Sequence, residues 1–343
     1  MSRLYRIVHA PLEIAGQIGL LCEGLRARGH TATGYNFFPN YLDYRKVINT
    51  DAYELARLLE HAMEYYDIFH FHNSYTFLEH YRDVEWISRA GKRMIMHHRG
   101  NDVRFRSRSA AWGGYVNPYV NAQCSFSDEL IDRNLQFFAE HMEAAIVQDN
   151  ELLPYVKDYY EQRGKPVYVL PRLIGLDGYE PVFGGSESSD PPLVVHAPTQ
   201  REFKGTAYIR AAVEQVSRDV PLRFKLVEGV SHAEAMDIYR EADIIIDQVL
   251  CGAYGNLSVE AMALGKPVVC YIRPDLYGKY PPGLPIVPAN PDTLYTALSE
   301  LARSRELRLQ LGKQGRSYVE KHHEASAVVG QLLSIYDSIM KEE

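Results

Sequence analysis

An arginine and a lysine lie just ahead of a glycine in the segment HAPTQREFKGT, residues 196–206. The segment follows a short apolar run, and Gly205 opens a pattern of apolar residues at helical spacing. Arg201 and Lys204 therefore lie beside a predicted helix N-terminus, where free backbone N–H groups and the helix dipole favour an anion. This combination suits a diphosphate, in binding or as a leaving group. A plain surface turn is the alternative, because Lys–Gly pairs are common in turns.

A second anion-binding feature is predicted in the stretch EADIIIDQVLCGAYGNLSVEAMALGKPVVCY, residues 241–271. An apolar run at 244–246 leads through a glycine-containing loop to a helical segment around 260–264 and a second apolar run at 268–271. Strand, loop, helix and strand in this order form a βαβ unit. Its loop ends at a helix N-terminus, which again favours an anion. The same unit is also ordinary scaffold in any α/β domain.

Glu260 lies inside that helix and is the acidic residue of the stretch with a candidate role. Its carboxylate could accept hydrogen bonds from a ribose diol, as the acidic residue of a dinucleotide site does. The alternatives are a solvent-facing helix residue and a charge that neutralises the helix start.

The N-terminal half carries a basic segment, MIMHHRGNDVRFRSR, at residues 94–108. A predicted strand ends there in His97, His98 and Arg99, and six Lys or Arg residues fall between 92 and 108 against one acid, Asp102. Ligands of open α/β sheets bind at the carboxyl ends of strands. The segment therefore predicts a site for an anionic or phosphate-bearing substrate, or contact with a membrane surface. A solvated basic loop is the alternative.

Two further residue patterns in this half have weaker chemical meaning. His70 and His72 alternate along a predicted strand, but no third ligand follows at a recognisable spacing, so no metal site is predicted. Gly16 follows the first predicted strand without the G-x-G-x-x-G pattern of a dinucleotide clamp. A lone glycine there lets a ligand approach the backbone closely.

The elements that would position these residues alternate between strands and helices along the chain. Strands are predicted at residues 4–9, 32–35, 67–71, 92–97, 144–148, 167–170, 193–196, 222–227, 244–246 and 268–271. Helical spacing fills most intervals between them and the tail from 292. Such alternation predicts parallel sheets with helices on both faces, the α/β class.

The chain of 343 residues is long for one core, so two domains are expected. The predicted boundaries are an N-terminal acceptor-side domain at 1–172, a Gly-, Ser- and Pro-rich linker at 173–192 and a C-terminal domain at 193–325. Residues 326–343 form a final helix. Each half is expected to have the Rossmann-like architecture.

Composition narrows the class of protein. Apolar residues make up 46% and charged residues 24%, as in ordinary globular enzymes, and the net charge of −7 gives no general affinity for nucleic acid. Four scattered cysteines without a CxxC pair indicate thiols in a reducing compartment. Neither a signal-peptide core nor a run of eighteen apolar residues is present, so a cytoplasmic protein is expected, with peripheral contact at the inner membrane face as an extension.

The sequence resembles the retaining, family-4-type (glycosyltransferase group 1) enzymes of the GT-B fold. The most specific matching block is GNLSVEAMALGKPVV, together with HAPTQREFKGT upstream. Weaker matches are the P-x-x-x-x-G pattern from Pro11 to Gly16, YDIFHFH at 66–72, the turn near Gly100 and VLPRLIGLD ahead of the linker. The resemblance covers most of the chain.

This resemblance implies two Rossmann-like domains with parallel sheets facing across a cleft, and a hexosyltransferase that takes a sugar from a nucleotide-sugar donor. Lys204, assisted by Arg201, would neutralise the diphosphate, and Glu260 would bind the ribose hydroxyls. The distal phosphate would lie on backbone N–H groups of Gly255, Asn256, Leu257 and Ser258. From the N-terminal domain, Gly16 with Gln17 would approach the phosphates and His98 would lie on the acceptor side. The final helix would return to the N-terminal domain.

The same resemblance implies that no metal or cofactor is required, that the donor is most often UDP- or GDP-linked and that transfer retains the anomeric configuration. The acceptor would be a glycan, a lipid-linked sugar or a small molecule, as in polysaccharide biosynthesis. The chain departs from the family at two positions. Gly252 replaces a glutamate that contacts the donor sugar, a contact that Asp247, Gln248 or Tyr254 could supply instead, and Thr199 replaces an arginine.

Two other classes of protein are compatible with the same residues. The first is a GT-B-shaped nucleotide-sugar-binding protein with impaired or no turnover, which Gly252 and Thr199 favour and which Lys204 and Glu260 oppose. The second is another GT-B enzyme, a phosphorylase or a sugar epimerase. A phosphorylase needs a site for inorganic phosphate and usually a longer chain.

Overall fold

The computed structural model describes residues 3–39, 41–109, 115–122, 126–183 and 191–341. The chain divides into two compact units. The N-terminal unit comprises Met1–Phe105, Phe126–Leu173 and Ala325–Glu343, and the C-terminal unit comprises Arg106–Ser125 and Ile174–Glu324. Within the predicted linker 173–192, residues 184–190 lie outside the described residues.

The described parts of the chain contain β-strands at the following positions: β1 (Arg6–Ala10), β2 (Thr31–Asn36), β3 (Ile48–Asn49), β4 (Ile68–His72), β5 (Arg93–His98), β6 (Ala144–Val147), β7 (Val167–Val169), β8 (Leu193–His196), β9 (Arg223–Leu226), β10 (Ile244–Ile246), β11 (Val268–Cys270) and β12 (Val287–Pro288). Every predicted strand segment overlaps one of them. The two-residue strands β3 and β12 were not predicted, because two residues show no periodicity.

The α-helices in the same parts of the chain are α1 (Gln17–Arg26), α2 (Ala52–Tyr65), α3 (Arg82–Arg89), α4 (Arg106–Ser109), α5 (Asp128–His141), α6 (Leu153–Glu161), α7 (Arg201–Lys204), α8 (Thr206–Ser217), α9 (His232–Glu241), α10 (Asn256–Ala263), α11 (Leu294–Arg303), α12 (Arg305–His322) and α13 (Ala325–Ile339). Side-chain caps mark several starts: Ser127 accepts from the Leu130 N–H, and Ser231 forms a capping box with Glu234. No helix of the described chain is long and apolar enough to cross a bilayer.

Each unit is built around one parallel sheet. The N-terminal unit has seven strands in the order β3-β2-β1-β4-β5-β6-β7, and the C-terminal unit has five in the order β12-β11-β10-β8-β9. All recorded strand pairs are parallel. The sequence order reverses beside β1 in the first sheet and beside β8 in the second, which is the doubly wound pattern of Rossmann-like domains. The α/β prediction is therefore confirmed.

Apolar side chains cover both faces of the second sheet. Val194 and Val195 are neighbours on β8, yet they belong to two different buried clusters, because successive side chains of a strand point to opposite faces. In the N-terminal unit, Leu21 of α1 and Leu332 of α13 pack with Ile7 of β1 in one buried cluster. Burying apolar surface on both faces is what allows short, almost fully apolar strands such as III at 244–246.

Helices α10 and α12 approach closely at a glycine. A Cβ atom added at Gly312 would lie 2.1 Å from the backbone oxygen of Gly265, which lies two residues after the end of α10. Arg316, one turn further along α12, donates to the backbone oxygen of Ala263 at 2.9 Å. Glycine at 312 therefore fixes the distance between α12 and the helix predicted to bind the phosphate.

We expect Gly312→Ala to lower the free energy of unfolding by about 1–3 kcal/mol, because the new methyl group overpacks against backbone that cannot turn away. The matched control is Gly330→Ala in α13, where the nearest atom to a new Cβ is the flexible end of Arg28 at 3.7 Å. There, better helix propensity should add roughly 0.5–1 kcal/mol. Urea denaturation of both variants measures the two changes, and equal changes would contradict the packing argument.

Candidate active site

The predicted diphosphate residues gather at the carboxyl edge of the C-terminal unit's sheet. Asp247 follows β10 directly, and Lys204 ends the short helix α7 that follows β8. Gly255 is the N-cap of α10 and adopts an extended backbone. β8 and β10 are neighbouring strands, so their following loops meet at one place. This is the position at which open α/β sheets bind ligands.

Asp247 connects these elements through one buried carboxylate. Its Oδ1 accepts from Lys204 Nζ at 2.7 Å, and its Oδ2 accepts from the Gly255 N–H at 2.6 Å and from Ser258 Oγ at 2.7 Å. Burial alone would raise the pKa of Asp247, but the Lys204 charge and these donors hold it below its usual value. The carboxylate is therefore ionised, and it ties the end of β10 to the start of α10.

The start of α10 keeps unused donors beside this carboxylate. The Gly255 N–H, which was predicted to hold phosphate, donates to Asp247 in this structure, so a phosphate would have to compete with that carboxylate for it. Within the described chain, the N–H groups of Asn256, Leu257 and Ser258 have no acceptor. The buried Asn256 Oδ1 also lacks a partner. Three N–H groups at the positive end of a helix can hold one anion.

Lys204 lies against this helix start. Its Nζ contacts Gln248 Oε1 at 2.8 Å as well as Asp247, and a Cβ atom added at Gly255 would lie 3.2 Å from the Nζ. Its side chain is only 13% exposed. The structure thus brings Lys204 and the N-terminus of α10 together, as the sequence predicted.

Glu260 lies one turn into α10 and faces His232, the first residue of α9. Glu260 Oε1 is 2.7 Å from His232 Nε2, and the Tyr179 hydroxyl approaches the same oxygen at 3.5 Å. The hydrogen bond to Glu260 raises the pKa of His232 although burial lowers it. The sequence did not predict this pair, because its members are 28 residues apart. It forms a polar surface beside the helix start.

Arg201 does not join Lys204 at the carboxylate. Its guanidinium forms a two-pronged contact with Glu228, in which Nε donates to Oε1 at 2.7 Å, and its side chain is largely exposed. The contact with Glu228 raises the pKa of Arg201. The sequence prediction placed Arg201 beside Lys204 because the two residues are close in the chain. In the structure Arg201 pairs instead with Glu228, in the loop that follows β9.

Three side chains were expected to contact the donor sugar in place of the glutamate that the family carries at position 252. In the structure, these side chains contact other side chains of the protein. Asp247 and Gln248 contact Lys204, and the Tyr254 hydroxyl is 3.1 Å from His323 Nε2. Gly252 itself has φ +89°, and a Cβ atom there would lie 3.0 Å from the Arg273 Cβ. A glutamate at this position would be strained in this backbone. Thr199 is exposed ahead of α7.

The corresponding helix start in the N-terminal unit is already filled. The buried Glu13 carboxylate accepts from the N–H groups of Ile18 and Gly19 at 3.2 and 2.9 Å. Gln17 exchanges two hydrogen bonds with the backbone of Leu173. Gly16 has φ +71°, and a Cβ atom added there would lie 3.3 Å from the Tyr44 ring. The Glu13 carboxylate therefore occupies the position at the start of α1 where a phosphate approaching Gly16 and Gln17 would bind.

His98 is fully buried in this structure, so its side chain is not accessible to a sugar acceptor. Its Nδ1 is 2.8 Å from Asp102 Oδ2, and its Nε2 is 3.5 Å from the Tyr160 hydroxyl. Asp102 also accepts from the backbone N–H groups of Arg99 and Gly100 at 3.0 and 2.9 Å. The His98–Asp102 pair therefore holds the turn that follows β5, and its geometry corrects the predicted acceptor-side contact.

His70 and His72, considered above as metal ligands, belong to a buried chain of hydrogen bonds. The third histidine that the sequence did not reveal is His9, whose ring nitrogens lie within 4.8 Å of those of His70 and His72. Arg99 contacts His72 Nδ1 at 3.2 Å, and His72 Nε2 is 3.1 Å from His9 Nδ1. Beyond His9, the Tyr336 hydroxyl lies 3.2 Å from His9 Nε2 and 2.7 Å from His70 Nδ1.

The direction of every bond in this chain follows from its first member. A guanidinium can only donate, so His72 accepts at Nδ1 and donates from Nε2, and His9 then donates to Tyr336, which donates to His70. His70 Nε2 is 3.2 Å from His97 Nδ1, and within the described residues His97 Nε2 has no partner. Neutral histidines satisfy this order. A cation at the same nitrogens would instead compete with the adjacent Arg99 charge.

The two parallel-sheet units define the class of fold, and comparison with solved structures confirms it as GT-B. Sucrose-phosphate synthase from Thermosynechococcus elongatus aligns over 99% of this chain and 100% of its own, with a TM-score of 0.68 and 15% identity. HepE of Anabaena, in complex with UDP and glucose, aligns over 97% and 100% with a TM-score of 0.66 and 13% identity. The catalytic domain of starch synthase IV from Arabidopsis thaliana, bound to ADP and acarbose, aligns over 98% and 99% with a TM-score of 0.63 and 12% identity.

The family resemblance is also confirmed. Residues 200–334 match the family model described as "Glycosyl transferase-like". The matched range includes Lys204, the start of α10 and Glu260. The chain thus resembles the GT-B glycosyltransferases of the group 1 type, as its sequence indicates. No curated protein matches it significantly.

Asp247→Asn should loosen the start of α10, because a neutral amide cannot balance the buried Lys204 charge and cannot accept from as many donors. We expect a lower melting temperature and faster hydrogen exchange at the backbone N–H groups of Gly255 and Val259. The control is Asp275→Asn, whose carboxylate pairs with Arg273 but does not contact α10. Unchanged exchange at Gly255 in the Asp247 variant would contradict the assigned role.

The buried histidine chain predicts a pH dependence of stability. Burial, followed by the Arg99 charge, lowers the pKa of His9 from 6.5 to about 3. Between these two values the unfolded chain binds the proton and the folded chain does not, so stability present above pH 6.5 is lost as the pH falls towards 3. The loss attributable to His9 is ~1.4 kcal/mol per pH unit within this window.

Urea denaturation at pH 7.5, 6.5 and 5.5 measures this dependence in wild type and in His9→Gln, since glutamine can also accept and donate. The variant should show a slope shallower by about one proton. His61→Gln is the control, because the His61 side chain is 79% exposed and folding removes little of its water. Parallel pH profiles for wild type and His9→Gln would refute a neutral buried His9.

Proposed function

We propose that this protein is a hexosyltransferase that transfers a sugar from a nucleotide-sugar donor to a carbohydrate, lipid-linked or small-molecule acceptor. The observation that carries the proposal is the convergence of Lys204 with three acceptor-less N–H groups at the start of α10. A site with one cation and a helix N-terminus suits a phosphate group. The match of residues 200–334 to a glycosyltransferase family model supports the same assignment.

In this proposal the donor diphosphate binds between Lys204 and α10. The bond between the sugar's anomeric carbon and the diphosphate oxygen breaks, and a bond from the acceptor hydroxyl oxygen to that carbon forms. The acceptor proton passes to the departing phosphate oxygen on the same face, so the anomeric configuration is retained. Lys204 and the helix dipole stabilise the negative charge that grows on the leaving group. Because protein groups supply this stabilisation, the proposal requires no metal ion.

The nucleoside is proposed to bind beside the diphosphate at Glu260. One carboxylate oxygen of Glu260 faces His232, and the ribose diol would donate to the carboxylate. The raised pKa of His232 favours its cationic form, which would orient the Glu260 carboxylate. UDP and GDP sugars are the donors we propose first, since UDP is bound by HepE, one of the solved GT-B structures.

The remaining parts of the proposal concern the acceptor side and the cell. The basic segment between residues 92 and 108 is proposed to contact an anionic acceptor or the membrane surface that carries it, in a cytoplasmic protein of polysaccharide biosynthesis. Gly16 and Gln17 remain proposed phosphate contacts, but without the N–H groups of Ile18 and Gly19, because Glu13 uses those groups.

Binding and turnover of donor test the proposal separately. UDP, GDP, ADP and dTDP and their sugars are screened by thermal shift and then by donor hydrolysis. A ligand at 100 times its Kd should stabilise the protein by ~2.7 kcal/mol. Glu260→Ala should weaken nucleotide binding, whereas Lys204→Ala should lower kcat more than it raises KM, because it removes a contact that strengthens on the leaving group.

The matched control is Lys225→Ala on β9, an exposed lysine outside the site, which should change neither binding nor turnover. Absence of a shift with every nucleotide would remove the donor-site assignment, and full turnover in Lys204→Ala would remove the role of Lys204. Shifts without hydrolysis or transfer would instead favour the second candidate, a nucleotide-sugar-binding protein without turnover. The left-handed backbone at Gly252, where the resembled family carries a glutamate, is the observation that keeps this candidate open.

A further inference from the structure

An open cavity of about 840 Å³ lies in the N-terminal unit and is lined by none of the residues assigned above. Its walls come from the loop after β2, the loop after β4, the start of α2 and the first half of α5. It therefore lies at the carboxyl edge of the sheet, where α/β domains bind ligands. Its volume falls in the range of about 300–1,000 Å³ that small-molecule pockets occupy.

Aromatic rings form much of the cavity wall. Phe37 and Phe38 pack together on one side with ring centroids 4.1 Å apart, and Phe38 meets Tyr75 at 5.7 Å. On the other side Tyr81 stacks on Phe137 at 5.0 Å. Phe38 is 43% exposed, which is unusual for a phenylalanine that could pack in the core. Ring faces carry negative charge density and attract the weakly positive C–H groups of a ligand.

Asn134 adds a buried hydrogen-bonding group to this wall. Its side chain on α5 is 4% exposed and lines the cavity. Within the described parts of the chain its amide makes no hydrogen bond, and its amide atoms are not among the fully buried ones, so they are open to the cavity. An amide offers two donors and can accept two more bonds, and a ligand that covers it without replacing those bonds leaves it unsatisfied, which is unfavourable. The cavity therefore favours a ligand that is polar at this point.

The loop that carries half of the wall is held in one conformation. Asp83 on α3 is fully buried and accepts from Thr76 Oγ1 at 2.7 Å and from the Phe77 N–H at 2.8 Å. His80 and Tyr81 adopt left-handed backbone conformations with φ of 60° and 58°. Non-glycine residues hold such conformations only where the surroundings enforce them, and such residues cluster at ligand sites. The wall is thus formed before a ligand binds.

We propose that this aromatic cavity binds a saccharide, which is the glycan part of the acceptor in the function proposed above. A pyranose ring has apolar C–H faces for the aromatic rings and a polar rim of hydroxyls for Asn134. A purely hydrocarbon ligand would match the rings but would leave the Asn134 amide unsatisfied. Arg133 and Glu79, which also line the cavity, supply further groups for hydroxyls at its mouth.

A glycan microarray, probed without any nucleotide, tests this site directly. The wild-type chain should retain a set of glycans, and their signals should fall at least tenfold in Asn134→Leu, which preserves size but removes hydrogen bonding, and in Phe38→Ala. The control is Tyr53→Ala on α2, because Tyr53 is likewise an exposed aromatic residue but does not line the cavity. If Asn134→Leu fails to fold, the exposed Phe38 position still decides the outcome.

Retention of no glycan by the wild type, or equal retention by wild type and both cavity variants, overturns the assignment. Thermal shift with UDP on the same preparations separates this result from the donor site. A UDP shift without glycan binding removes the saccharide cavity and leaves the proposed donor site in place. Glycan binding that depends on Asn134 and Phe38, without any nucleotide shift, supports the cavity and removes the proposed transferase reaction.

Discussion

The arrangement of the candidate donor site depends on one buried carboxylate, that of Asp247. A charge in the interior is tolerable only when opposite charge and hydrogen-bond donors surround it, and Asp247 obtains these from Lys204, Ser258 and the Gly255 N–H. Because these partners come from α7 and α10, satisfying the carboxylate fixes both elements relative to β10. The position of the Lys204 ammonium is therefore a consequence of how Asp247 is neutralised. The same carboxylate also consumes the first N–H of α10 and leaves the next three for a ligand.

The two units are both built on a parallel sheet, but they differ in what the N–H groups at the start of one helix contact. In the N-terminal unit, Glu13 binds the N–H groups of Ile18 and Gly19, so the anion that α1 favours is supplied by the protein itself. In the C-terminal unit, the start of α10 has a lysine beside it and acceptor-less N–H groups. A phosphate would compete with a buried carboxylate in the first case and would meet a cation in the second. The two helix starts therefore differ in whether a protein carboxylate already occupies the position that an anion would take.

The sequence predicted the elements well and the partners of individual side chains poorly. Apolar runs such as III at 244–246 show the strand directly, because a strand buried on both faces needs apolar residues throughout. The Lys204–α10 convergence was predictable because each loop follows a strand of the same sheet. Arg201 was different: it is exposed, its nearest carboxylate lies on another loop, and no sequence pattern encodes the Glu228 pairing. The His98–Tyr160 and His9–Tyr336 contacts join residues 62 and 327 positions apart, and such contacts exist only once the elements that carry them have packed together.

At Gly252, where the resembled family carries a glutamate, the chain has a left-handed backbone conformation as well as a different type of side chain. The residue has φ +89°, its carbonyl accepts from the Arg273 N–H at 2.8 Å, and Arg273 is itself fixed by Asp275. A glutamate there would be strained by the backbone conformation, whatever its carboxylate contacts. Since Asp247, Gln248 and Tyr254 all bond to other side chains of the protein, the loop backbone is the part that the proposed function leaves to face a donor sugar.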